Sequence, residues 1–192
     1  MNSPTQRDKS KGLSVSEITI FAMLGALMYV SKVLMEWAPN VHLLGMFTMV
    51  YTIVYRAKAL IPIYVYVFIN GFFAGFQLWW VPYLYIWTVL WGITMLLPEY
   101  PTKISGKKAV ILFSVVCALH GLAFGTLYAP AQALFFGMNF KQTLAWIVSG
   151  LPWDAVHGIG NFAAGFLIIP LVNLIRKIDR NAVKPAKIAT NS

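Results

Sequence analysis

Asp154, His157 and Asn161 recur at spacings of three and four, so a helix carries all three on one face. They stand in a run from Gln142 to Ile175 whose only formal charge is Asp154. A charge near the middle of a bilayer costs about 2.5–3.5 kcal/mol on insertion scales, which makes each such group a functional candidate. The carboxylate can accept hydrogen bonds from a ligand amine or ring N–H, and the imidazole can donate or accept. The same pair suits general acid–base work. With no ligand at all, it suits an Asp–His contact that holds helices together.

A second charged pair, Lys32 and Glu36, lies four residues apart inside the first apolar segment and can close on one helix face. It reads either as a ligand contact or as a structural pair near the interface. Trp79, Trp80, Tyr83, Tyr85, Trp87 and Trp91 crowd one further segment, and Trp146 and Trp153 another. Aromatic rings gather at membrane interfaces in any case. Trp87 and Trp91 lie deeper and offer walls for a flat heterocycle. Tyr128, Gln132 and Asn139 stand at or beyond one helix end, and His120 mid-helix reads as a core histidine. The single cysteine, Cys117, forms no internal disulfide and reads as a small core residue.

These groups need elements to hold them. Of 192 residues, 59% are hydrophobic and 11% charged, with a mean hydropathy of +0.69. Soluble domains carry about 45–50% apolar and about 25% charged residues. A chain this short cannot hide so much apolar surface from water. A soluble enzyme, a disordered chain and a disulfide scaffold are excluded, which leaves an integral membrane protein. Six segments approach the roughly 20 residues a crossing helix needs. They run from about Ser16 to Trp37, His42 to Tyr55, Ala59 to Phe76 and Trp79 to Leu97, then within Ala109–Phe140, and from Gln142 to Ile175. The fifth is expected to end near Pro130, with an outer loop to about Lys141. Arg7, Lys9 and Lys11 precede the first run with no small-residue cleavage site, so that run reads as a membrane helix and not as a signal peptide.

The net charge of +9 follows topology and not nucleic acid. Arg7, Lys9, Lys11, Arg56, Lys58, Lys103, Lys107, Lys108, Arg176, Lys177, Arg180, Lys184 and Lys187 all fall on one set of connections, which is 13 of the 15 basic residues. The alternate set holds only Lys141. This positive-inside pattern predicts an all-α integral membrane protein, a compact bundle of six transmembrane helices with both termini cytoplasmic. Residues 1–15 and 177–192 become cytoplasmic tails, and 16–176 the membrane domain. The charged, amide and aromatic groups then collect on the external side as a binding cup, above a mostly aliphatic cytoplasmic half.

Motifs for ATP hydrolysis, zinc ligation and serine hydrolysis are absent from the sequence. No catalytic, metal or cofactor site is therefore expected. The first segment reads Phe21-Ala-Met-Leu-Gly-Ala-Leu-Met-Tyr29, with Ala22 and Ala26 as a small-x-x-x-small pair beside Gly25. With six helices and an external polar cup, the chain resembles the S components, the substrate-binding subunits of energy-coupling factor transporters, over nearly its whole length. The resemblance implies capture of a vitamin or related micronutrient from outside. It also implies partnership with a transmembrane coupling subunit and two cytoplasmic ATPases, in the plasma membrane of a prokaryote. Ala22, Gly25 and Ala26 would face the coupling subunit.

Family ligand contacts come mainly from the last three helices and external loops. The expected contacts here are Lys32, Glu36, Trp87, Trp91, Tyr128, Gln132, Trp153, Asp154, His157 and Asn161. Aromatic walls with one carboxylate favour a small nitrogen heterocycle, and a larger ligand such as cobalamin stays open. A small membrane enzyme using Asp154 and His157, or a structural subunit of a membrane complex, are the alternative readings.

Overall fold

A computed structural model describes residues 12–179. The expected tails therefore lie mostly outside the described residues, as do Arg7, Lys9, Lys11, Arg180, Lys184 and Lys187. The described chain is all-helical, with no strand among the described residues. Eight α-helices follow one another: α1 (Val15–Leu34), α2 (Leu44–Tyr55), α3 (Leu60–Ala74), α4 (Tyr83–Leu96), α5 (Gly106–Leu122), α6 (Phe124–Phe136), α7 (Phe140–Gly165) and α8 (Ile168–Ile178).

Local chemistry explains the starts and stops. Ser14 and Glu17 form a capping box at the head of α1, and Asn139 with Gln142 does the same for α7. Between α2 and α3, Arg56 adopts φ +55° and a 3-10 turn carries the chain to Leu60. The fifth segment departs from expectation. It breaks at Ala123 into α5 and α6, and α6 continues through Pro130 to end at Gly137. A proline withdraws one N–H but leaves the flanking helical bonds in place. Gly137, at φ +61°, supplies the left-handed stop instead. The sixth segment divides as well, into α7 and an α8 bent by 47°.

Contacts between side chains fix the direction of each segment. Lys58 pairs with Glu17, Gly25 abuts Pro62 and Val65, and Phe73 stacks on Tyr29, so α1 and α3 run parallel. Tyr51 donates to the Leu24 carbonyl and Tyr55 meets Phe21, so α2 runs against α1. Tyr64 bonds to Leu84 and Trp80 to Val67, while Ile86 meets His120 and Tyr85 reaches Leu127. The chain thus alternates in direction through α1, α2, α3, α4, α5–α6 and α7–α8. Arg56, Lys58, Tyr100, Arg176 and Asp179 collect at one end. Lys32, Glu36, Asn40, Tyr128 and Asp154 collect at the other.

Val15–Leu34, the run Leu44–Ala74 taken through its reversal at Arg56, and Gly106–Phe136 have the length and apolar composition of membrane-crossing segments. The bent pair α7–α8 makes a fourth if counted as one span. Length and composition by themselves support three to four crossings, and the expected six are not shown by that measure. The reason is local: α4 holds 14 residues and α2 only 12, both below the crossing length of about 20. Burial divides the helices in the same way. Eleven of the twelve residues of α2 are buried, whereas α1, α3 and α7 expose Met23, Phe72 and Ile159. An apolar shell around a filled interior is what a lipid solvent selects.

The tightest seam joins α5 and α7. A Cβ at Gly165 would stand 2.5 Å from the Ser114 Cα, and one at Gly158 would stand 2.6 Å from Leu122 Cγ. A Cβ at Gly121 would meet the His157 carbonyl at 2.9 Å. Three glycines thus let the two backbones approach as no larger residue would. Gly165→Val should lower stability by about 1–3 kcal/mol, the usual cost of overpacking. Gly92→Val, where a Cβ meets nothing within 4 Å, should have a far smaller effect. Thermal unfolding of detergent-solubilised protein measures both.

Candidate functional site

The non-basic end of the molecule holds two adjoining cavities. The inner one, about 210 Å³, is lined by Lys32, Glu36, His42, Tyr83 and His157 among others. The outer one, about 510 Å³, is lined by Gly125, Tyr128, Trp146, Trp153 and Asp154 among others. Pro39, Asn40 and Phe124 belong to both walls. The connection between α1 and α2 therefore lies across the site, with Asn40 at φ +58°.

Asp154 is 6% exposed, and both of its carboxylate oxygens accept from the Gly125 N–H, at 3.0 and 3.2 Å. Gly125 is in the first turn of α6, where N–H groups have no helical partner. Asp154, reaching across from α7, thus caps the α5–α6 break with a favourably placed negative charge. A Cβ on Gly125 would sit 2.5 Å from Asp154 Oδ2, so this approach requires glycine. No hydrogen bond joins Asp154 to His157 among the described residues, although the two share a face. Asp154 still borders the outer cavity, so it remains available to a ligand from that side.

His157 belongs to a ring cluster. Its imidazole lies 4.4 Å from His42 and 4.7 Å from Phe124, measured between centroids. Phe124 in turn meets Trp87 at 5.9 Å, and Trp87 meets His42 at 6.0 Å and His120 at 5.8 Å. Trp87 is wholly buried. His157 Nε2, His42 Nδ1, His120 Nδ1 and Trp87 Nε1 are all buried without a hydrogen-bond partner. Buried polar atoms are nearly always paired, so four orphans around one floor mark this as an unusual place. His42 precedes α2 and lies outside the helices long enough to span. Burial above all holds its pKa down, to about 4, so the ring is neutral at pH 7.

Six of the ten expected contact residues line the two cavities. Lys32 and Glu36 form their expected ion pair at 2.9 Å and border the inner cavity. Tyr128, Trp153, Asp154 and His157 border one or the other chamber. Trp87 lines neither chamber and backs the floor from beneath, against Tyr83, His42 and Phe124. Gln132 lines a separate groove of about 780 Å³, beside Phe76, Trp79 and Phe136.

Two residues belong elsewhere. Trp91 donates to the Arg56 carbonyl at the basic end, one helical turn too deep for the cup. Asn161 is fully buried at the α2–α5–α7 junction, where its amide donates to the Cys117 carbonyl and approaches Gly45 and Gly121. The basic half is also less aliphatic than expected, since Tyr55, Tyr100 and Arg176 hydrogen-bond there.

Sequence reading did not single out His42, Phe124 or Asn40 as site residues. His42 was visible as a polar residue at a segment boundary, at the same depth as Trp87. Phe124 carried no such signal, because the α5–α6 break that aims it was not foreseen. On the partner-facing surface, Ala22 is exposed and Ala26 half-buried. Gly25 is buried against Pro62 and Val65 of α3, so it serves packing within the chain and not a partner. The reason is steric: α1 and α3 approach closest at that residue.

No family model, no curated protein and no solved structure matches the chain.

Asp154→Ala should lower stability by about 1–3 kcal/mol, because it removes the acceptor of the part-buried Gly125 N–H. Asp154→Asn retains an amide oxygen for that N–H and should lose less. The order of melting temperatures in detergent, parent above Asn above Ala, is the expected result. Equal melting temperatures for the parent and the Ala variant would remove the capping role.

Proposed function

We propose that this chain captures a small external ligand in the membrane and hands it to a separate ATP-driven coupling module. It would be the substrate-specific subunit of an importer of the energy-coupling factor type. The pair of adjoining cavities at the end opposite the basic residues is the observation that carries this reading. Alternating direction through six helical segments supports a body that crosses the membrane six times. The short α2 and α4 would then be shielded by their neighbours. Arg56, Lys58, Lys103, Lys107, Lys108, Arg176 and Lys177 at one end favour a cytoplasmic location for that end and for both termini. The cup then faces the medium, in the plasma membrane of a prokaryote.

Nothing in the sequence would hydrolyse ATP by a phosphate-binding loop, so the driving force must come from partners: a transmembrane coupling subunit and two cytoplasmic ATPases. Ala22, exposed on α1, and the half-buried Ala26 remain the surface suited to close approach by a partner helix. The cargo is a small nitrogen heterocycle, a vitamin or its precursor. Chambers of about 210 and 510 Å³ suit a ligand of this size better than cobalamin. An acid–base enzyme is the less favoured reading, because Asp154 is engaged with Gly125 and not with His157.

Purified protein should release a small heterocycle on denaturation, detected by mass spectrometry, and bind it again without converting it. In cells, Ala22→Trp should leave that binding unchanged and reduce uptake to background. Chemical turnover of the released molecule would favour the enzyme. Uptake at the parental level in Ala22→Trp would remove the assignment of that helix face.

A further inference from the structure

The inner chamber has two features the outer one lacks: its two charged residues pair with each other, and two histidine rings line its wall. Its charged residues, Lys32 and Glu36, neutralise one another at 2.9 Å. The nearby Asp154 is directed to the Gly125 N–H. A ligand that brought a full charge into this chamber would have to compete with that pair for a counter-charge.

What the chamber does offer is hydrogen bonding at its wall. His42 and His157 both line it, their rings 4.4 Å apart at an interplanar angle of 79°. His157 is 3% exposed. No carboxylate bonds either ring among the described residues. A neutral imidazole carries one donor and one acceptor, so two adjacent rings can meet a ligand edge of mixed polarity. Phe124 and Tyr83 complete the wall as flat apolar faces, and Phe124 lies 4.7 Å from the His157 ring. A volume of about 210 Å³ falls below the range of about 300–1,000 Å³ typical of drug-sized ligands, so it suits one ring system.

We infer that the inner chamber is the specificity site for an uncharged, single-ring nitrogen heterocycle, whose neighbouring hydrogen-bond acceptor and donor are read by His42 and His157. This rests on the ligand-capturing function proposed above and narrows it. The cargo is neither a heteroaromatic carboxylate nor a quaternary pyridinium, and Asp154 does not serve as its counter-ion. The outer chamber, with Trp146 and Trp153, accommodates whatever substituent extends from the ring.

The test uses full-length protein in lipid nanodiscs and three probes of similar size. Cytosine is neutral and carries an acceptor beside a donor, nicotinate is anionic, and N-methylpyridinium is cationic. Calorimetric titration should show cytosine binding about tenfold or more tighter than either charged probe. His157→Phe and His42→Phe, checked for parental melting temperature, should each weaken cytosine by about tenfold, with His42→Gln closer to the parent.

Nicotinate or N-methylpyridinium binding as tightly as cytosine would overturn the neutral-ligand assignment while leaving the capturing function in place. So would cytosine affinity within about twofold of the parent in both Phe variants. The parental probe ranking decides the matter even if a Phe variant fails to fold. Should no probe bind, and no small molecule be released from the purified protein, the capturing function itself fails, and this assignment with it.

Discussion

The close contact of α5 with α7 is the constraint on which the remaining geometry depends. Gly121, Gly158 and Gly165 bring two backbones to a distance that side chains elsewhere prevent. In lipid there is little hydrophobic gain from joining two apolar helices, so close packing and hydrogen bonds must supply the association. The seam supplies both. It holds Asn161 against the Cys117 carbonyl, and it aligns Asp154 with the first turn of α6. The α5–α6 break falls beside that contact, and the break aims Phe124 at His157. The cup is therefore a by-product of helix packing several residues away from it.

Formal charges in the bundle are met locally, either as ion pairs or by backbone groups. The ion pairs Lys32–Glu36 and Lys58–Glu17 lie at opposite ends, and each is locally complete. Arg176 donates to the Ile53 and Tyr100 carbonyls and stands over the Tyr100 ring. Between these ends, Thr52, Thr94 and Ser31 return their hydroxyls to their own helix backbones. The ring nitrogens around Trp87 are left unpaired, as are the side-chain polar atoms of Asn70, Tyr66, Thr48 and Ser114.

Much of this was legible in the sequence, and the rest was not for definite reasons. Periodicity identifies a face, so Asp154, His157 and Asn161 were rightly placed on one side of α7. It does not identify the neighbour. Asn161 therefore turned out to serve a junction, and Gly25 an internal contact with α3. Depth counted along a helix is accurate only to about a turn. Trp87 fell just beneath the cup floor, while Trp91, four residues on, fell among the groups of the basic end. Proline was given too much weight at position 130. The interruption falls instead at Ala123, beside a carboxylate contributed by another helix, which no local pattern records.

The enclosure of α2 carries a consequence for how such a chain is made. Twelve residues of helix reach about 18 Å, well short of a hydrocarbon core of about 30 Å. Its ends are sheltered by neighbours, several of which are synthesised after it. As the ribosome delivers the chain, α2 emerges before α4, α5 and α8 exist to surround it. Until they arrive, the insertion machinery or a thinned patch of lipid must hold this central strut. The last helices to leave the ribosome are thus the ones that complete its surroundings, and a chain truncated before α8 would leave its pillar bare.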